Sequence, residues 1–333
     1  MGVQFMKLAN LFCDNMVFQA EKPVRIFGTG KGRVIVELKG KTYNQTFNDD
    51  NWIMEMPAQE YGGPYEITIC LESEKRTLKN IAFGDVFLCS GQSNMQFTIR
   101  EEEGAKIVKT DEKIRYYYCD RLEKHEGLTS ADGWNICYEN AVEHWSALAT
   151  HMAQEFRKKK DVFVGIIGCV QGASVIRSWL PAKCLDKDVY VPIEERHEDA
   201  SIVNYTKWNA DCVLYEKMFS TLTPFSFKAV VWYQGESDTT VAEGRVYTEL
   251  LARLITSWRE DLMDKSLPFI VVQICDYVKN DNEDWRCIQR AQKAVVEFVE
   301  NVTVVVSSDV CEHSNIHPSN KEELAEKIAR NLV

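Results

Sequence analysis

Apolar and polar positions follow one rhythm before about residue 80 and another after it. In the first part, Val24–Phe27, Arg33–Leu38 and Tyr65–Leu71 are short β-branched runs that partly alternate. Gly28–Gly32, Asn48–Asn51 and Tyr61–Pro64 separate them as turn segments. Short alternating runs between Gly, Asn and Pro clusters predict a small antiparallel β domain over residues 1–80, with no helix in it.

Beyond residue 81 the pattern becomes strand, then helix, repeated. Asp85–Cys89, Ile114–Tyr118, Val162–Ile167, Ala229–Trp232, Phe269–Ile274 and Val302–Val306 are mostly continuous apolar runs, as parallel strands buried on both faces require. Between them, Trp145, Leu148, Ala149, Met152 and Phe156 recur at helical spacing, and Leu250, Leu254, Trp258 and Leu262 recur every fourth residue. Lys321 to Leu332 reads as a closing amphipathic helix. This alternation predicts an α/β doubly wound parallel sheet over residues 81–333, with ligands at the C-terminal ends of its strands. The acidic stretch from Asp186 to Asn204 fits no element, and long loops in compact domains are often functional.

Composition narrows the partners. The 333 residues carry 39 Lys and Arg against 50 Asp and Glu, a net charge of −11. Such a chain lacks the basic footprint of a nucleic-acid binder and is repelled by anionic membranes. No apolar run reaches the ~18 residues of a membrane span. Met1 to Asn10 shows no charged segment followed by an apolar run, so no signal peptide is expected and a cytoplasmic enzyme is the default. The 11 cysteines, an odd number without a C-x-x-C pair, read as reduced small hydrophobes.

Four segments at strand ends carry candidate chemistry. In Cys89 to Met95, a strand runs into Gly91-Gln92-Ser93, which places the Ser93 hydroxyl at a tight strand-to-helix turn, either as a nucleophile or as a helix cap. In Trp232 to Asp238, Gln234 is a donor for an oxyanion, and Glu236 and Asp238 are candidates to orient a base or bind hydroxyls; a capped turn is the alternative. In Ser307 to Pro318, His313 and His317 stand near Asp309 and Glu312, and one histidine suits a general base for Ser93. Cys311, His313 and His317 match no recognised zinc spacing. In Gly172 to Trp179, Gly172 lets a backbone N–H approach a ligand. Gly28–Gly32 is followed by a strand, so it is a hairpin turn and not a phosphate loop.

Taken together, Gly91–Met95, Gly172, Trp232–Glu236 and Ile316-His317-Pro318 resemble the SGNH hydrolase superfamily, in particular the sialate O-acetylesterase-like carbohydrate esterases. Asp14–Gln19 and Lys22–Val24 are similar to that family's N-terminal β region, and Tyr215–Met218 with Leu222–Phe225 to its segment before the third motif. The resemblance implies an SGNH-type three-layer sheet and a serine esterase that removes acetyl groups from sugar hydroxyls, such as those of sialic acid, without metal or cofactor. Ser93 then matches the nucleophile and His317 the base, with the Ser93 N–H, Gly172 and Gln234 at the oxyanion. Ser314 stands where the superfamily often has an acid, so Asp309, Glu312 or Glu236 is the candidate orienting acid, or a Ser–His dyad operates. The second glycine of the usual pair is Ala173. Arg177 replaces a commonly acidic residue and is a candidate for reading a substrate carboxylate, which would offset the net charge; a salt bridge is the alternative. Gln92, Asn94, Trp179 and Tyr233 complete the expected substrate contacts, with Trp179, Trp232 and Tyr233 as either a stacking wall or core. An acetylxylan or other acyl esterase of the same fold, and a non-catalytic sugar-binding protein, are the rival functions. Self-association through the β part is left open.

Overall fold

The computed structural model describes residues 6–103, 108–122, 128–139, 141–198, 205–280 and 282–332. The N-terminal part holds strands β1 (Lys7–Leu8), β2 (Val17–Gln19), β3 (Val24–Thr29), β4 (Gly32–Leu38), β5 (Lys41–Phe47), β6 (Asn51–Met56) and β7 (Gly62–Leu71). β1, β3 and β6 form a three-stranded antiparallel sheet, and β5, β4 and β7 pair antiparallel in sequence. Val34, Val36 and Leu38 of β4 are buried while Glu37 is exposed, the alternation of a sheet wetted on one face.

The long strand β8 (Glu74–Gly91) belongs to both halves of the molecule. Its first residues pair with β7, Ala82–Gly84 pair with β2, and Asp85–Gly91 pair with β11 (Val164–Val170). The expected boundary at residue 80 therefore falls inside one continuous strand. Phe18 of β2 stacks on Phe83 and on Phe225, and Arg25 donates to the Leu262 carbonyl at 3.1 Å, so the β part is packed onto the base of the α/β part.

The central sheet adds β9 (Asp111–Tyr118), β10 (Trp134–Cys137), β12 (Ala229–Tyr233), β13 (Phe269–Val272) and β14 (Val302–Val305), in the order β10-β9-β11-β8-β12-β13-β14. All neighbours run parallel except β10, an antiparallel edge strand whose four residues the apolar pattern did not reveal. The helices are α1 (Ser93–Gln96), α2 (Ala147–Lys159), α3 (Tyr205–Asn209), α4 (Val213–Lys217), α5 (Val241–Asp261), α6 (Glu283–Ala294) and α7 (Glu322–Arg330).

Side-chain alternation places helices on both faces. Phe87 of β8 meets Phe156 of α2 edge-on. Trp232 is the register partner of Ser90, three residues on from Phe87, so it points to the opposite face, where it meets Trp258 of α5. α7 packs on α2, and α6 on α5. The result is the three-layer α/β arrangement. Chain order reverses at β8, with β11 and β9 on one side and β12 to β14 on the other, so the C-terminal end of β8 is the crevice where such folds bind ligands.

Of the acidic stretch from Asp186, residues 199–204 lie outside the described residues; the rest forms two short helical turns, Lys187–Val189 and Ile193–Glu195. All eleven cysteines are free thiols. Among the described residues no helix is long and apolar enough to cross a membrane.

Candidate active site

β8 ends at Gly91, whose φ of 132° suits glycine, and a Cβ there would lie 2.0 Å from the Tyr233 carbonyl oxygen. That close approach of β8 to β12 turns the chain abruptly, and Ser93 becomes the first residue of α1. Its N–H is one of the donors that a helix start leaves without an intrahelical acceptor. The His317 Nε2 lies 2.8 Å from Ser93 Oγ. His317 is brought there by the loop after β14, and its N–H donates to Asn315 Oδ1 at 3.0 Å. Burial, followed by the positive charge of Lys321, holds the imidazole below its ordinary pKa, while Glu101 opposes them. The imidazole is therefore neutral, and able to accept a proton, over more of the pH range.

Among the described residues no carboxylate bonds the His317 ring. Asp309 is ion-paired with Lys327 at 2.7 Å, which holds its carboxyl below the usual range. Glu312 is exposed and accepts from the Ser319 N–H at 3.3 Å. Glu236 is buried and accepts from Asn94 Nδ2 at 2.6 Å, and burial pushes its carboxyl up. None of the three carboxylates bonds the His317 ring; the contact described at the ring is the one with Ser93. His313 bonds the Ser308 carbonyl at 2.7 Å instead of facing His317, and no three His, Cys, Asp or Glu side chains among the described residues gather as a metal site.

The oxyanion candidates divide. The Gly172 N–H lies beside α1, where it donates to Gln96 Oε1 at 2.7 Å. A side-chain amide thus occupies this donor, and it must swing aside for the N–H to receive an oxyanion. Gln234 is a correction. Its Nε2 donates to Ser174 O at 2.8 Å and Asp238 Oδ2 at 2.5 Å, and its Oε1 accepts from Tyr247. Fully buried and spent on these bonds, it holds the 172–176 loop to the end of β12 and has no free donor. Asp238 completes that brace by accepting from the Ile176 N–H at 3.0 Å. Ala173 sits at φ 51°, a left-handed conformation that glycine adopts more easily.

The expected substrate contacts are corrected in the same way. Gln92 accepts from Gly235 N at 3.2 Å and donates to Ser237 Oγ at 3.3 Å, stapling β8 to the turn after β12. Asn94 is buried and links Glu236, the Ile316 carbonyl and Lys321. Trp179 lies edge-on to Trp232 and Trp258 in the core, and Tyr233 is buried beneath the site. Arg177 is 4% exposed and grips Asp211 through Nε at 3.1 Å and Nη2 at 2.9 Å, with Nη1 on the Val189 carbonyl. Its guanidinium is spent on a protein carboxylate and cannot read one on a substrate.

Two residues of this region escaped the sequence patterns. Gln96 follows the recognised Gly91–Met95 segment by one residue. Lys321 follows His317 by four and opens the last helix, where a lysine reads as a solvated cap. The second of the two carried one usable signal, its place on the same short loop-to-helix segment as the histidine.

A parallel sheet with a serine on the central strand's turn and a histidine on the last loop defines an SGNH-type esterase. The chain belongs to the carbohydrate esterase family described as sialic acid-specific acetylesterase, whose model matches residues 83–333, and it is thereby a carboxylic-ester hydrolase. The human sialate O-acetylesterase is 26% identical over 372 residues, spanning 98% of this chain and 70% of that protein. The mouse sialate O-acetylesterase is 25% identical over 395 residues, spanning 98% and 72%. A carbohydrate acetylesterase from Xanthomonas citri superposes with a TM-score of 0.84 at 24% identity, covering 98% of this chain and 74% of that one, which shows a shared fold across both the β part and the α/β part.

Proposed function

We propose that this protein removes O-acetyl groups from sugars by a serine mechanism, with Ser93 as nucleophile and His317 as general base. The observation that carries the reading is the 2.8 Å contact between Ser93 Oγ and His317 Nε2 at the C-terminal edge of the sheet. As Oγ attacks the acetyl carbonyl, its proton passes to Nε2. The carbonyl oxygen becomes an oxyanion within reach of the Ser93 N–H, joined by the Gly172 N–H once Gln96 yields it. Collapse of this intermediate breaks the ester C–O bond, His317 returns the proton to the departing sugar oxygen, and an acetyl-Ser93 ester remains. Water, deprotonated by the same histidine, then releases acetate. With Gln234 committed elsewhere, two backbone donors carry the charge, and losing one such donor costs about 10²–10³ in turnover.

Relatives named for sialic acid make O-acetylated sialic acid the first substrate class to test. The net charge of −11 and the occupied Arg177 favour no anionic sugar, so neutral acetylated sugars stand beside it. Acetate release from acetylated sialic acid, acetylated xylan and longer acyl esters, each with wild type and Ser93→Ala, separates these. Hydrolysis of none of them, or equal hydrolysis by Ser93→Ala, overturns the proposal.

A further inference from the structure

Directly behind the serine–histidine pair, the fold buries an ammonium group. Lys321 has no exposed surface. Its Nζ donates to Asn94 Oδ1 at 2.7 Å and lies 4.8 Å from the centroid of the Phe97 ring. Its backbone N–H donates to Glu102 Oε1 at 2.9 Å. Among the described residues no carboxylate comes within ion-pair distance of Nζ. The group facing it is a neutral amide.

That amide is oriented by the charge. With Oδ1 bound by the ammonium, Asn94 must turn Nδ2 the other way, where it donates to Glu236 Oε1 at 2.6 Å and to the Ile316 carbonyl at 2.9 Å. Asn94 follows Ser93 in α1, and Ile316 precedes His317. The bridge from ammonium to amide to carbonyl therefore ties the nucleophile's helix to the backbone of the base. Phe97, the residue after α1, lies over the same group, with its ring 6.4 Å from that of His317. A charge is a costly way to fill space in a protein interior, and an apolar side chain of similar length would pack there without desolvation. A purely structural filler does not explain a lysine.

We infer that Lys321 is a positioning residue of the esterase centre, which sets Asn94 so that it clamps the Ile316–His317 backbone to α1. Its positive charge, second to burial, also disfavours the protonated form of the His317 ring. This rests on the assignment of Ser93 and His317 as nucleophile and base. The charged and titratable groups around Lys321 are Glu102, Glu236 beyond Asn94, Cys275 after β13 and Cys311 in the histidine loop; around His317 they are Glu101 and Lys321. Burial pulls Lys321 itself down to about 8, so its charge is fullest in acidic solution. With no carboxylate on the imidazole, nothing next to the ring favours its protonated form except Glu101.

The test compares wild type, Lys321→Gln and Lys321→Met by the pH dependence of kcat/KM on 4-nitrophenyl acetate, alongside direct NMR titration of the His317 ring. Lys321→Gln keeps a donor for Asn94 Oδ1 without the charge. Its acidic limb and the ring titration are expected to move to higher pH, so that its deficit relative to wild type is at least about threefold larger in mildly acidic than in alkaline solution. Lys321→Met loses clamp and charge together, and its alkaline-side kcat is expected to fall as well, with KM little changed. Should the lysine variants fail to fold, Asn94→Asp, which sets a carboxylate against the ammonium, is expected to move the limb the same way. Folded variants whose limb and ring titration coincide with wild type overturn the role of Lys321. If Ser93→Ala or His317→Ala retains turnover in the same assay, the Ser93–His317 assignment falls and this inference with it; if both are inactive while the limb stays put, only the inference falls.

Discussion

The Ser93 hydroxyl and the His317 imidazole, 224 residues apart in the chain, meet at 2.8 Å. Removing either partner is expected to lower kcat for acetate release by at least about 10³-fold, because nucleophile and base act as a unit. Circular dichroism and melting temperature should stay close to wild type, since Ser93 is half-buried and the one side-chain bond described for it is the contact with His317. Steady-state kinetics of Ser93→Ala and His317→Ala check this. Near-wild-type turnover in either sinks the mechanism.

With His317 as the proposed base, its titration is expected to set the acidic limb of the pH profile. Burial first, and Lys321 second, hold its pKa below the ordinary 6.5. A general base works in its deprotonated form, so a lowered value preserves activity to lower pH. The inflection in kcat/KM for the free enzyme is expected below pH ~6.5. An inflection above that value contradicts the environment described for the ring.

Neither loop acid reaches the imidazole, and this too is measurable. Asp309→Ala and Glu312→Ala are each expected to keep kcat within a few-fold, because Asp309 is held by Lys327 and Glu312 by Ser319. A triad acid of the usual kind is worth far more than that. A loss beyond about tenfold in either variant, with the fold intact, restores that acid to the centre.

Arg177→Ala is expected to act on stability and not on substrate choice. The guanidinium is buried against a partly exposed Asp211, and its removal strips a charge-assisted pair and the Val189 carbonyl of their donor. Urea unfolding should show a loss of about 1–3 kcal/mol. The ratio of kcat/KM for acetylated sialic acid to that for a neutral acetylated sugar should not change. A selective loss on the anionic sugar returns Arg177 to the binding site.

The N-terminal β part is expected to be inseparable from the rest. Cutting at residue 81 severs β8, removes the partners β2 and β7, and uncovers Phe83 and Phe225. The fragment 81–333 should express as aggregate. Size-exclusion chromatography showing a folded, active monomer of that fragment refutes this.

Much of the molecule was legible in one dimension. Each of the six apolar runs after residue 81 became a strand of the central sheet, because a parallel strand buried on both faces has few polar positions; β14, at the sheet's edge, is only partly buried. Trp145 to Phe156 and Leu250 to Leu262 mapped onto α2 and α5 for the corresponding reason, a stripe of apolar residues at helical spacing. β10 was hidden since a four-residue edge strand carries too few positions for alternation to register. Ser93 and His317, singled out in the sequence because such residues have few other uses at a strand end, are brought together by the fold.

It was not legible where the same side chain serves equally well in two settings. Gln234, Arg177, Trp179 and Asn94 stand in the right segments, and the sequence alone could not say whether their polar atoms or rings face a substrate or the protein. Hydrogen-bond partners decided that: Ser174 and Asp238 claim Gln234, Asp211 claims Arg177, Trp232 and Trp258 enclose Trp179, and Lys321 claims Asn94. Local periodicity was enough to read the sheet and the chain order of its motifs, and the chemistry of a serine and a histidine at strand ends was enough to single out Ser93 and His317 as candidates. The hydrogen-bond partners of Gln234, Arg177 and Asn94, and the burial of Lys321, came from the folded molecule alone, because desolvation and hydrogen-bond pairing depend on groups that meet across hundreds of residues.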